Sequence, residues 1–96
     1  MKIVFIVYNV GIGDEVNECL ARCNVESYTL FPSLYGKGKL SGPHMGTHIW
    51  PSTNAAFLIA CKDEKVQDIL EEVKRLKQSF KKEGLKAFVV PLEETV

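Results

Sequence analysis

The sequence has no excess of charge of either sign, only two histidines and a single tryptophan. Its 96 residues carry 12 Lys and Arg against 12 Asp and Glu, so the formal net charge is zero. This balance argues against a protein held on nucleic acid by bulk charge and against a polybasic membrane binder. An apolar fraction of 46% argues against a charged disordered chain. We therefore expect a globular protein with no nucleic-acid partner.

Cysteine is scarce and long apolar runs are absent. Three cysteines cannot all pair within one chain, and their spacing shows no disulfide pattern. No apolar stretch approaches the roughly 20 residues that a membrane span needs. No cleavage site follows the apolar run that starts at Ile3. These absences predict a soluble, reduced, cytoplasmic protein without membrane insertion, and the length predicts one domain over residues 1–96.

Apolar periodicity predicts four strands and two helices. The strands are Ile3–Tyr8, Val25–Leu34, Ala55–Cys61 and Lys86–Leu92; the helices run from Asp14 to about Asn24 and from an N-cap at Asp63 to about Gly84. The order predicts an α+β, ferredoxin-like βαββαβ fold, with a four-stranded antiparallel sheet and two helices on one face. A long Gly- and Pro-rich loop, residues 35–54, joins strands two and three. Pro91, which has no N–H, is expected at a strand end or an edge.

The strands carry more apolar residues than one core face needs. Strands one, three and four are apolar at consecutive positions, hence on both faces of the sheet. Since two helices cover only one face, the other face would expose an apolar patch of the kind that marks an interface. We expect an oligomer packed through its sheets; the alternative is a monomer with a partly apolar surface.

Two blocks of residues resemble the PII signal-transduction family. Residues 1–25, with Asp14-Glu15 leading into the first helix, resemble the family's opening strand and helix. Residues 62–94 are similar to its second half and end in Lys-Ala-Phe-Val-Val-Pro-Leu-Glu-Glu, close to the family's Lys-Ile-Phe-Val-x-Pro-Val-Glu-Glu. The resemblance implies a homotrimer whose sheets face inward. It also implies a regulatory protein that senses a small-molecule effector, an adenine nucleotide or another anion, and signals to a protein target through the loop 35–54, the counterpart of the T-loop.

The same comparison shows departures from the family. Between Gly36 and Asn54 there is no Tyr, which argues against nucleotidylylation, and no Gln, which argues against 2-oxoglutarate sensing. The family's B-loop, Thr-Gly-x-x-Gly-Asp-Gly-Lys, corresponds here to Ser79–Lys86, where the final Lys and a Ser for Thr remain. The sequence therefore resembles a divergent PII-like protein.

The predicted ligand-binding residues are Lys37, Lys39 and Lys86. Glycines flank Lys37 in Gly-Lys-Gly-Lys, which lets the backbone approach an anion while lysines supply charge. The resemblance implies that Lys39 and Lys86 line a phosphate site at a subunit boundary. The alternative is a flexible loop tip with solubilising lysines.

His44 and His48 raise a second hypothesis, a divalent-metal site. Neutral imidazoles bind Zn, Cu, Ni or Fe, and two from one loop could supply half a site, completed by other subunits. This favours a metal-homeostasis protein as the alternative function; otherwise the two histidines are hydrogen-bonding loop residues.

Other residues carry no catalytic pattern. Cys19 and Cys23 share an apolar helix stripe and are expected to be small buried hydrophobes. Gly11 and Gly13 indicate a tight turn rather than a dinucleotide fingerprint. Because no Ser-His-Asp, Cys-His or paired-carboxylate arrangement is evident, the chain is predicted not to be an enzyme, with no catalytic residues.

Overall fold

The structure is a computed structural model that describes residues 1–37 and 53–96. Its elements are β1 (Lys2–Asn9), a short 3-10 helix (Val10–Ile12), α1 (Gly13–Arg22), β2 (Thr29–Tyr35), β3 (Thr53–Cys61), α2 (Asp63–Ser79) and β4 (Leu85–Pro91). The strands form one antiparallel sheet in the order β2-β3-β1-β4. This confirms the predicted ferredoxin-like fold. Pro91 ends β4, which is an edge strand, as predicted.

The core lies between the sheet and the two helices. Alternate residues of β1 are buried, and the apolar stripes of both helices pack against them. Its larger members include Ile6, Tyr8, Phe57, Ile59, Val16, Leu20, Val66, Ile69, Leu76 and Leu85. Phe57 stacks on Tyr8 with ring centroids 5.5 Å apart, and Tyr28 meets it edge-on at 4.8 Å. Burial, and then the nearby Tyr28, raises the pKa of Tyr8.

β2 begins at Thr29, later than the predicted Val25, because the preceding residues terminate α1. Asn24 has a φ of 56° in the left-handed region. Its N–H donates to Ala21 O at 3.1 Å, and the N–H of Val25 donates to Leu20 O at 3.0 Å. This pair of bonds is a Schellman motif, which satisfies carbonyls at the end of a helix. The backbone N–H of Val25 is therefore bonded to the end of α1, and Val25 does not join β2 despite its strand propensity.

The bounds of α2 also differ from the prediction. Lys62, not Asp63, is the N-cap, and no side chain caps this end. Asp63 is instead the first helical residue, with its carboxylate 3.5 Å from the Met1 amino group. The helix ends at Ser79 rather than near Gly84, since Phe80 leaves helical geometry at φ −124° and ψ 65°.

The three cysteines are free. Cys19 and Cys23 are 2% and 6% exposed, which confirms that they are small core residues, and Cys61 is partly exposed at the end of β3. Burial raises the pKa of each thiol above its ordinary value of 9.0. All three are therefore weak nucleophiles at neutral pH.

We expect one thiol to react before the other two. In the native protein an aromatic disulfide reagent should modify Cys61 first, because of the three thiols it alone is partly exposed. Cys19 and Cys23 should be modified only on unfolding, because both are buried. Absorbance of the released thiolate measures the rates. Cys61→Ser should remove the fast phase, and equal rates for three thiols would contradict the core placement.

A carboxylate joins the two helices. Glu72 on α2 accepts from Arg22 Nε on α1 at 2.8 Å and from Arg75 Nη2 at 2.6 Å. Glu72 and Arg75 lie three residues apart on α2, so this second ion pair is within the helix. Hydrogen bonds from Arg75, and then from Arg22, hold the pKa of Glu72 below its ordinary value of 4.5.

Acid should therefore remove a stabilising contribution from Glu72. A carboxyl whose pKa is lower in the folded state stabilises the fold above its unfolded pKa, and this contribution is lost as the pH falls below about 4.5 through the folded value. In urea unfolding from pH 7 to pH 3, Glu72→Gln should lose less stability than the wild type. Glu71→Gln is the matched control and should follow the wild type. If the free energy of unfolding decreased equally with pH in the wild type and in Glu72→Gln, this carboxylate would not be a source of the acid sensitivity.

Candidate functional site

The face of the sheet opposite the helices, here called the open face, is apolar over most of its area. Directly paired residues of antiparallel strands share a face, and Phe5 at the centre is paired with Leu58 of β3 and Phe88 of β4. The large apolar residues of this face are Ile3, Phe5, Val7, Phe31, Leu58, Phe88 and Val90. Phe88 is 54% and Val90 46% exposed, and Phe31 stacks on Phe5 with centroids 6.1 Å apart.

At one end of the open face the apolar rows give way to polar side chains. Lys86 is paired with Val7, and in the next row Asn9 is paired with Asn54. The central loop leaves and re-enters the sheet at this same end, because Tyr35 and Thr53 form the last β2–β3 pair. We call this end of the sheet the loop end.

The turn after β1 also lies at the loop end. Asn9 Oδ1 accepts from the Gly11 N–H at 2.7 Å and so caps the 3-10 helix that leads into α1. The Asn9 N–H donates to Gly84 O at 2.9 Å, which ties the segment before β4 to β1. Gly11 therefore lies in a tight turn, as predicted, and Gly13 is the first residue of α1.

The structure brings two of the predicted ligand-binding residues to the loop end. Lys37 follows β2, Lys86 is the second residue of β4, and both are exposed. They lie on opposite edges of the sheet, because β2 and β4 are its outer strands. With strands about 4.8 Å apart, the axes of these two edges are separated by about 14 Å. An anion at either edge is therefore held by only one of these lysines, unless a second copy of the chain brings the opposite edge alongside.

Three predicted site residues lie outside the described residues. They are Lys39, His44 and His48. Over residues 1–37 and 53–96, no group of three or more His, Cys, Asp or Glu side chains could hold a metal ion. The metal site at the two histidines stays a prediction.

Asn9 and Asn54 are polar residues of the loop end that the sequence reasoning missed. Asn54 belongs to no recognisable motif and falls at the end of the predicted loop 35–54. Only the register of β1 on β3 shows that the two are cross-strand partners. A signal was present at Asn9, an Asx residue two positions before a glycine, which is typical of a turn.

A depression of the described surface lies elsewhere. It measures about 350 Å³ and is lined by Arg22, Asn24, Lys65, Asp68 and Glu72, between the end of α1 and the first half of α2. Lys65 Nζ is already engaged there, donating to Cys23 O at 2.6 Å. Small-molecule sites are mostly apolar and concave, and this depression is open and polar, so we do not assign it as the ligand site.

Within the described part of the chain, no helix is both long enough and apolar enough to span a membrane. In the described part of the chain, exposed large apolar side chains include Phe88 and Val90 on the open face and Val10, Tyr28 and Leu30 elsewhere.

Solved structures with the same fold come from PII-like proteins. CPII from Thiomonas intermedia K12, bound to ADP, AMP and bicarbonate, superposes with a TM-score of 0.70 at 21% identity, covering 99% of this chain and 94% of that chain. CPII bound to ADP, AMP and acetate gives a TM-score of 0.68 at 22% identity, covering 92% of this chain and 81% of that chain. A PII-like signalling protein from Thermus thermophilus gives 0.65 at 20% identity, covering 93% and 83%. At these identities the likeness shows the fold.

The sequence itself identifies the family. No curated protein matches the chain. The family model for nitrogen regulatory protein P-II, in contrast, matches residues 1–96, the whole sequence. With the resemblance of its two terminal blocks and the fold described above, this match shows that the chain belongs to the nitrogen regulatory protein P-II family.

Proposed function

We propose that this chain is a PII-like homotrimeric regulatory protein. It senses a small anionic effector, an adenine nucleotide or bicarbonate, at the clefts between subunits. The segment 35–54 transmits the effector's presence to a protein target. The observation that carries this proposal is the position of Lys37 and Lys86 at one end of the sheet but on opposite edges of it.

The open face supports self-association. Phe5, Phe88 and Val90 place large apolar surfaces on a flat side of the sheet that no element of the described chain covers. Each Å² of apolar surface removed from water contributes roughly 25 cal/mol, so packing such faces together is favourable. A second copy is the natural occupant, because it presents an identical apolar face of the same size.

Association through the open face gives the lysines their role. Each subunit carries Lys37 on the β2 edge and Lys86 on the β4 edge. In a closed ring of subunits, every boundary can therefore place the β2 edge of one copy beside the β4 edge of the next. Two cations in a cleft attract a phosphate or a bicarbonate, and partial exclusion of water strengthens that attraction. The known ligands of CPII, ADP, AMP and bicarbonate, are all anions, which supports this ligand class.

Signalling then follows from differential affinity. Lys37 directly precedes the segment 38–52. An anion bound to Lys37 therefore favours those arrangements of the segment that keep the Lys37 ammonium group in contact with the anion. An effector shifts a conformational equilibrium only by the difference in its affinity for the two states. The protein target responds to the state that the effector favours.

Loss of Lys86 should weaken effector binding. Isothermal titration calorimetry with ADP should show roughly tenfold weaker binding for Lys86→Ala, because a hydrogen bond to a charged group is worth about 1.5–3 kcal/mol. Lys62→Ala removes a lysine just before α2 and is the control; it should bind like the wild type. A wild-type protein that binds neither ADP, AMP nor bicarbonate would refute the proposed function.

A charge on the open face should separate the subunits. Phe88 is half exposed in the single chain, so Phe88→Lys should preserve the fold while placing an ammonium group in the interface. Sedimentation velocity should show a shift from oligomer to monomer. Val10→Lys alters a residue of similar exposure, 47%, in the 3-10 helix and should leave the oligomer intact. Identical sedimentation of Phe88→Lys and wild type would rule out this face as the interface.

A further inference from the structure

Gly36, the first residue after β2, is held in contact with a side chain of β3. A Cβ built on Gly36 would lie 2.7 Å from Asn54 Nδ2 and 3.9 Å from Asn54 Cγ. Since real Cβ atoms essentially never approach a heavy atom within 3.0 Å, a larger residue at position 36 requires either the end of the Asn54 side chain or the backbone at residue 36 to move. Gly36 does not have a positive φ, so a larger residue here is opposed by the Asn54 side chain and not by the backbone conformation.

Among the glycines that the structure describes, Gly36 has the closest such approach, followed by Gly11, whose Cβ would lie 3.0 Å from Asn9 Oδ1. A Cβ on Gly13 would meet Tyr8 Cε2 at an ordinary 3.7 Å, and one on Gly84 would meet nothing within 4 Å. Gly84 lies at the loop end, like Gly36, and its carbonyl accepts from Asn9. It is therefore a matched position at which a methyl group can be added without a collision.

The register explains why the amide reaches position 36. Asn54 is paired with Leu34 of β2, and the last pair, Tyr35 with Thr53, lies one step further toward the loop. β2 has a register irregularity between Phe31 and Leu34, which changes its direction just before it ends. The Asn54 side chain, partly buried, then lies against the backbone at the point where the chain leaves the sheet.

We propose that Asn54 is a positioning residue that fixes the path of the backbone at Gly36 and thereby places Lys37 in the anion site. Lys37 follows Gly36 directly, so any change in the direction of the chain at residue 36 moves the Lys37 ammonium group. The ligand part of this inference rests on the proposed function; the packing of Asn54 on Gly36 does not.

A double-mutant cycle tests the inference. Gly36→Ala should weaken ADP binding roughly tenfold in calorimetry, because Asn54, paired with Asn9 on one side and Leu34 on the other, keeps its place and the overpacked contact shifts the backbone. Asn54→Ala alone should cost less, about threefold, because it leaves the path of the chain looser without redirecting it. The double variant Gly36→Ala/Asn54→Ala removes the collision and should return to within about twofold of Asn54→Ala. If the losses of ADP-binding free energy in the two single variants simply add in the double variant, the proposal is wrong.

A second readout needs no ligand. Amide hydrogen exchange of residues 34–37 and 53–55, followed by NMR, should be faster in Gly36→Ala by roughly tenfold and should recover in the double variant. Gly84→Ala should leave exchange in these residues unchanged, because its added methyl group has open space. If Gly36→Ala exchanges like the wild type, Asn54 does not control this position.

Calorimetry and hydrogen exchange together distinguish a failure of the proposed function from a failure of the role given to Asn54. A wild-type protein that binds no ADP refutes the proposed function, and the exchange experiment then decides the packing of Asn54 by itself. If ADP binds and exchange shows the coupling, but affinity is equal in all four proteins, the contact is structural and the assignment of Asn54 as a positioning residue is wrong.

Discussion

Two helices bury one face of the four-stranded sheet and leave its other face open. β1 shows this division residue by residue, since Val4, Ile6 and Tyr8 are buried against the helices while Ile3 and Phe5 are directed to the open face. The described part of the chain has no further element with which to cover that face. The hydrophobic effect therefore favours association through the sheet, and we place the ligand site according to that association.

The sheet order has a second consequence, for the charges. Because β2 and β4 are the two edges, the lysines at the loop end cannot act together at one edge within a single chain. The proposed trimer accounts for both features, because in it the open faces of the copies pack together and unlike edges meet. Asn54, lying against Gly36, then determines how β2 presents Lys37 to that cleft.

Local patterns were enough to predict the elements that form the core. The apolar run of β1, the apolar run of β3 and the stripe of α2 each have a clear period, and the fold class follows from their order. Errors arose where another interaction outweighed propensity. The Schellman motif at Asn24 moves the start of β2 to a later residue than predicted. The helix α2 ends at Ser79, because the backbone of Phe80 is not helical.

The site was less predictable than the fold. The glycine context and the family resemblance predict Lys37 and Lys86 as ligand-binding residues, but their placement on opposite edges required the strand order. Asn54 could not be found at all, because its role depends on the register of β3 on β2 and not on any nearby residue. Spacing along the chain carries no information about contacts that are made across strands.

The solution mass of the wild-type protein is the most direct test of the central claim, that the open face is an interface between copies. Size-exclusion chromatography with light scattering should give the mass of three chains of 10.8 kDa, about 32 kDa. A mass of one chain at micromolar concentration would contradict the account, because the open face would then be exposed to water and the two lysines would remain apart.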